Sequence, residues 1–278
     1  MEKIAQLADR TIIRISGSDA VHFLQNLVTC EIEELREGDL TFGALLTPQG
    51  KILFEFFCKK TDDGLLFDLS SDAAEDFQKR MTFYKLRADV QIGMESDLKV
   101  FVTWGTAPNG ADQDPRSGGS VGRFYALSAE TNATADDWHE QRIMLGLPEL
   151  GRDFQSGEVF PHDVNMDQFD NGGVAFTKGC YVGQEVVSRM RHRGTARKRF
   201  VILESDEEFP EAGTALKVDG RVIGTMGSAS DVSDTNRGLA LLRLDRIAAH
   251  LQTDNSVQFD EVAASISMPT YASFEIEK

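Results

Sequence analysis

The sequence lacks a long apolar run. No uninterrupted stretch approaches the roughly 20 residues of a membrane helix, and the opening MEKIAQLADR carries Glu2 and Asp9 with no apolar h-region. Neither a membrane partner nor a secretory signal or acid-poor transit peptide is expected. Cysteine is scarce: Cys30, Cys58 and Cys180 are widely spaced and form no CxxC pair. That excludes a zinc ribbon or a self-sufficient redox motif and points to a reducing, cytoplasmic setting. Basic residues are in the minority, 29 Lys and Arg against 45 Asp and Glu, for a net charge of −16. Such a chain repels bare nucleic acid and anionic membrane at long range, so any anionic partner must meet a local basic patch.

What is present is ordinary globular material. With 278 residues, 41% of them apolar and 27% charged, the chain is neither disordered nor fibrous and has room for about two domains. The β-branched run Thr11 to Ile15 reads as a strand. Ser18 and Asp19 are N-cap candidates for a helix carrying Val21, Leu24, Leu27 and Val28. Two strands, 41–46 and 51–59, flank the turn Thr47-Pro48-Gln49-Gly50, and Leu65 to Leu69 is another. A helix follows from about Asp72, with Glu75 placed for a capping box and Phe77 and Met81 facing inward. Residues 107–120, rich in Gly and Pro, read as a mobile surface loop, and a helix from near Asp136 should end at Gly146. Beyond Arg197 come short strands, with an Asp219-Gly220 turn, which predict a small C-terminal β-barrel or sandwich. The expected organisation is an α+β region over 1–196 and a β-barrel over 197–278.

The most informative stretch is 176–199, FTKGCYVGQEVVSRMRHRGTARKR. Gly179 and Gly183 flank Cys180, and a helical pattern begins near Gln184. If Cys180 precedes that helix, the helix dipole and Lys178 favour its thiolate; the alternative is a small buried filler. Cys30 and Cys58 sit in apolar runs and read as core. From Val186 to Leu203 there is no acidic residue, whereas Arg189, Arg191, Arg193, Arg197, Lys198 and Arg199 are basic, with His192 among them. This island either receives an anionic ligand, RNA or acidic protein, or pairs with carboxylates of the same chain. His162 and His192 have spacings that match no standard metal site, so no metal is expected.

The segment KGCYVGQE, residues 178–185, resembles the signature of the YgfZ branch of the folate-binding, aminomethyltransferase-like family, which includes the mitochondrial iron–sulfur assembly factors. ISGSDAVHFLQ (15–25), LLTPQGK (45–51), YKLRADV (84–90) and Arg142 to Pro148 follow the same pattern in order. The resemblance implies a ring-like α+β fold with a terminal β-barrel around an opening that holds tetrahydrofolate or another reduced folate. It implies a function in assembly or repair of iron–sulfur clusters, supporting enzymes such as those that methylthiolate tRNA, with Cys180 as functional thiol and Lys178 beside it. Trp138, Arg142, Tyr181, Gly183, Gln184, Glu185, Arg191 and Arg193 are the expected folate contacts. Trp138 either stacks on a pterin or anchors its helix in the core, and Arg142 could meet a carboxylate.

The chain departs from that pattern at two places. Phe54 stands where the transferases carry a catalytic Asp, and an apolar ring cannot stabilise the charge of aminomethyl transfer. Met144 stands where many relatives have a pterin-binding Glu. A folate-dependent one-carbon transferase and an RNA or protein interaction module using 189–199 are the alternatives. The expected partners are folate and iron–sulfur client or assembly proteins, with nucleic acid less favoured and a monomer as the expected state. One cysteine motif cannot hold a cluster alone, because such centres take about four protein ligands. Any cluster contact is transient and needs ligands from a partner.

Overall fold

Runs of β-branched and aromatic residues broken by glycine set most of the strands in the computed structural model, which describes residues 1–106, 110–169, 171–194, 196–230, 236–251, 255–260 and 262–276. The chain packs as two units, Met1–Trp138 with Phe169–Glu185, and His139–Gln168 with Val186–Lys278.

In the first unit β1 (Lys3–Leu7) and β2 (Arg10–Ser16) precede the short helix α1 (Ala20–Gln25). The strands β3 (Leu40–Leu46), β4 (Ile52–Thr61) and β5 (Gly64–Ser70) follow, then α2 (Ser71–Lys85). After α2 come β6 (Gln91–Glu95), β7 (Lys99–Trp104), β8 (Asp112–Gln113) and β9 (Val121–Ala126), and α3 (Ala135–Met144) begins at the end of the segment. One antiparallel sheet has the order β3-β4-β5-β2-β6 and the other β1-β7-β9-β8. Under α2, Phe56, Phe67 and Phe77 pack with centroids 4.8–5.8 Å apart. All three are fully buried, each stabilising the fold by about 2–3 kcal/mol through lost water contact. Phe54 joins this core, 8% exposed and edge-on to Phe77 at 5.5 Å.

Both helix caps differ from expectation. Asp19 is the N-cap of α1, but its carboxylate accepts the Asp89 N–H at 2.8 Å instead of capping. α2 starts after Ser70, and Glu75 reaches Lys79 one turn on at 2.8 Å, so no capping box forms. The expected mobile loop is also corrected over residues 110–120; Ala107 to Asn109 lie outside the described residues. There β8 pairs with β9, and Arg116 donates to Asp114 through Nε and Nη2 at 3.1 and 2.8 Å, both side chains being buried. Arg116 lies 4.6 Å from the Phe57 ring centre and Arg123 3.9 Å from it. Arg123 and Arg10 each donate to the fully buried Asp68 at 2.6 Å. Within the segment the buried Arg116–Asp114 pair makes it a packed element, because removing one partner would strand a charge away from water.

In the second unit α3 ends in a Schellman motif. Leu147 N–H donates to Arg142 O (2.9 Å) and Gly146 N–H to Ile143 O (3.0 Å), with Gly146 at φ +74°. The helix stops at the glycine the sequence indicated. After α4 (Gln184–Arg193) come β10 (Lys198–Ser205), β11 (Ala215–Val218), β12 (Arg221–Ser230) and β13 (Asn236–Arg243). The segment closes with α5 (Leu244–Ile247), β14 (Ser256–Gln258) and β15 (Ala263–Ser267). Asp219 and Gly220, at φ +50° and +72°, make the two-residue hairpin between β11 and β12. The antiparallel order is β11-β12-β13-β10-β15-β14, and the Asp260 N–H reaches Lys217 O at 2.9 Å, joining the two ends of the sheet into a barrel. Val201, Leu203, Met226, Leu242, Phe259 and Ile266 fill it.

Candidate functional site

The loop carrying Cys180 lies in the first unit and is pinned on both sides. Upstream, Gly173 N–H donates to Phe42 O (2.7 Å), the Thr29 hydroxyl to Gly173 O (2.6 Å), and Ala175 N–H to Thr29 O (2.9 Å). Lys178, 8% exposed, then turns inward and its ammonium donates to Val28 O at 2.9 Å and Cys30 O at 2.6 Å. Downstream, Gly183 at φ +81° lies against the β3–β4 turn, where an added Cβ would sit 2.6 Å from Thr47 O and 3.0 Å from the Gly50 Cα. Gly179 differs, because a Cβ there would meet nothing within 4 Å. Between the two anchors Gly179 and Cys180 are exposed. Gln184 opens α4 and donates to Gly179 O at 3.3 Å, and Glu185 follows on the exposed side.

The three thiols are therefore unequal. Cys30 and Cys58 are fully buried; burial pushes the Cys30 thiol up to about 12 and raises Cys58 well above the ordinary range. Cys180 is the exposed one. Lys178 corrects one expectation: its hydrogen bonds are spent on backbone carbonyls. Burial pulls its pKa below the ordinary lysine range against the opposing influence of Cys30, Glu31 and Glu33. It acts as a strut for the loop. Beside it, with the Lys178 Nζ 5.5 Å from its ring centre, Tyr181 is 6% exposed and its hydroxyl has no hydrogen-bond partner among the described residues. Burial raises that phenol's pKa, so it stays an O–H donor.

Of the other expected contacts, Trp138 is 1% exposed and packs on Trp104 at 5.8 Å, which is the core reading. Arg142, in the second unit, meets carboxylates of its own chain: it donates to Asp153 at 2.7 Å, lies 3.4 Å from Glu149, and also donates to Ser228 Oγ and Leu147 O. Neither side chain is free to contact a ligand. Met144 is 44% exposed. His162 is buried, and burial lowers its pKa. No cluster of three or more potential metal ligands occurs among the described residues.

The basic island divides. Arg199 is buried, ion-paired with Asp167 and donating to His162 O at 2.7 Å, so for this residue the ion-pair reading holds. Arg189, Arg191, His192, Arg193, Arg197 and Lys198 are exposed in the second unit, while Thr195 lies outside the described residues. The sequence reading missed Thr29 and the Asp68–Arg10–Arg123 cluster. Their signal is a polar or charged residue inside an apolar strand, which costs free energy unless paired.

This architecture matches a solved structure over almost its whole length. Against the glycine cleavage system aminomethyltransferase T from Bartonella henselae the TM-score is 0.73 at 13% identity, covering 98% of this chain and 86% of that one. The fold is thus the aminomethyltransferase fold of α+β parts with a C-terminal β-barrel. Residues 197–274 match the family described as CAF17, C-terminal beta-barrel domain. The chain is 27% identical over 312 residues to the mitochondrial iron–sulfur cluster assembly factor IBA57 of Homo sapiens, covering 96% of this chain and 84% of the relative. It is 27% identical over 241 residues to the tRNA-modifying protein YgfZ of Aliivibrio fischeri, covering 77% and 75%. Fungal relatives are longer, and the chain spans as little as 55% of their length. The chain is thus similar over most of its length to YgfZ and to the iron–sulfur cluster assembly factors, on an aminomethyltransferase-like fold. No helix among the described residues is long and apolar enough to cross a membrane.

Proposed function

We propose that this chain is an accessory protein of iron–sulfur cluster assembly or repair, with Cys180 as its functional thiol and a reduced folate as its small-molecule ligand. The observation that carries the proposal is the contrast among the thiols: two are sealed in the core, and the third is exposed on a loop braced by Lys178 and Gly183. Such a loop presents a thiol at fixed position, and the open space at Gly179 leaves room for a bulky partner. A thiolate is the form that binds metal or attacks sulfur. Because a cluster takes about four protein ligands, Cys180 supplies one and the client or assembly protein, or a small thiol, supplies the rest. Cluster enzymes such as those that methylthiolate tRNA are the proposed clients, in a reducing compartment.

The folate part rests on the fold class. Trp138 and Arg142 are spent on internal contacts, so the Tyr181 hydroxyl, a buried donor with no partner among the described residues, is the group we assign to a polar atom of the ligand. A reduced folate bound there supplies a redox-active pterin able to carry one carbon. Aminomethyl transfer is not proposed, because Phe54 is a core side chain with no carboxylate to offer.

The function is tested by expressing the chain in cells deprived of their own assembly factor: activity of a cluster-dependent enzyme should return. If the cells stay deficient while the chain is soluble and folded, the reading is wrong. Tetrahydrofolate calorimetry tests the ligand, with weak, roughly micromolar binding expected. No heat at millimolar tetrahydrofolate removes the folate part alone.

A further inference from the structure

The C-terminal end of α2 carries a feature that the Cys180 loop does not use. Ala88 N–H donates to Lys85 O at 2.8 Å and closes a four-residue turn directly after the helix. Leu86 holds the second position of that turn at φ +46°, ψ −103°. This is the geometry of a type II′ turn, whose second position belongs to glycine because a Cβ is crowded there. Yet Leu86 is 84% exposed and Phe83, one turn back, is 73% exposed. Neither conformational ease nor burial accounts for leucine at that position.

The apolar pair sits in a basic setting. Residues 77–88 contain Lys79, Arg80, Lys85 and Arg87 and no acidic residue, in a chain of net charge −16. Lys79 pairs with Glu75 and the Lys85 ammonium donates to Val90 O at 2.8 Å, whereas Arg80 and Arg87 form no ion pair among the described residues. A groove of about 440 Å³ on the helix is lined by Glu75, Gln78, Lys79, Thr82 and Phe83. These positions follow the i, i+3, i+4, i+7, i+8 spacing of one helix face. The buried face, Ala74, Phe77 and Met81, is separate and belongs to the core.

We infer that this face of α2 docks an acidic amphipathic helix of a partner protein, with Phe83 and Leu86 entering its apolar stripe and Arg80 and Arg87 meeting its carboxylates. Charge complementarity selects the partner: a basic rim around two apolar side chains fits an acidic rim around an apolar stripe. An RNA backbone would leave Leu86 and Phe83 in water, and an anionic membrane is the competing occupant that the test separates. The inference is independent of the Cys180 and folate assignments.

The test uses the full chain and three fluorescent probes: a synthetic leucine–glutamate amphipathic helix, phosphatidylglycerol vesicles and tRNA. The acidic helix should bind, more weakly as salt rises, and Phe83→Ser and Leu86→Gly should each weaken it about tenfold or more. Leu86→Gly should at the same time raise the melting temperature, since glycine relieves the turn; this separates lost binding from lost folding. No binding of the acidic helix, equal binding by the variants, or preference for vesicles or tRNA would overturn the inference.

Discussion

Replacing Gly183 with alanine should cost about 2–4 kcal/mol, whereas the same change at Gly179 should be nearly silent. At Gly183 the backbone stands at φ +81°, and the new Cβ would lie 2.6 Å from a carbonyl oxygen and 3.0 Å from a Cα. The left-handed conformation costs a non-glycine residue about 1–2 kcal/mol, and overpacking against backbone, which cannot rotate away, about 1–3 kcal/mol. The lower entropy of the unfolded alanine chain returns only about 0.4–1 kcal/mol. For a chain of this size the net loss lowers the melting temperature by roughly 5–10 °C. At Gly179 an added methyl meets nothing within 4 Å, so a change within about 0.5 kcal/mol is expected. Thermal or urea unfolding of the two variants beside the parent is the assay. Equal effects, or a costlier Gly179→Ala, would refute the view that Gly183 anchors the loop to the β3–β4 turn and Gly179 holds space open.

Arg142→Met leaves the buried Asp153 carboxylate with the Glu149 and Ser228 N–H donors but no countercharge from Arg142 and should destabilise by about 3–5 kcal/mol; an unchanged midpoint in denaturant titrations would show that the pair carries no stability. Burial pulls Asp114 and Asp167 upward, but the charges and hydrogen bonds of Arg116 and Arg199 outweigh it and hold both carboxyls below the ordinary range. Their stabilisation is therefore complete above the unfolded value of about 3.9 and lost as pH falls through the lower folded values. Melting temperature should be flat with respect to these two groups above about pH 5 and fall in acid, less steeply in Asp167→Asn, and an unchanged acid slope in that variant would contradict the assignment. Iodoacetamide should label Cys180 alone in the native protein and reach Cys30 and Cys58 only on unfolding; peptide mapping that finds Cys30 labelled first would contradict the burial order.

The repeating elements were legible because their signals are local. The β3–β4 hairpin, the Schellman stop at Gly146 and the Asp219-Gly220 turn each follow from a glycine or a short apolar alternation. The caps of α1 and α2 were not, because the choice between capping and another partner is made by residues distant in sequence, Asp89 for Asp19, or by a competing neighbour, Lys79 for Glu75. Residues 110–120 misled for a related reason: their Gly and Pro content signals a loop, whereas Arg116, paired with Asp114, lies over Phe57 on β4. Within the Cys180 loop the motif did not disclose the directions of its side chains. Lys178 faces inward, and Gly183 serves packing against a turn more than 130 residues earlier.

The most direct test of the central claim is the cluster content of a [4Fe–4S] client enzyme, purified from cells that lack their own assembly factor and carry this chain either unchanged or as Cys180→Ser. Iron per client should be restored by the parent chain and stay near the deficient level with the serine variant, although both melt at the same temperature because Cys180 is exposed. A client equally loaded by Cys180→Ser would contradict the account, leaving the pinned loop with a structural thiol and no chemical role.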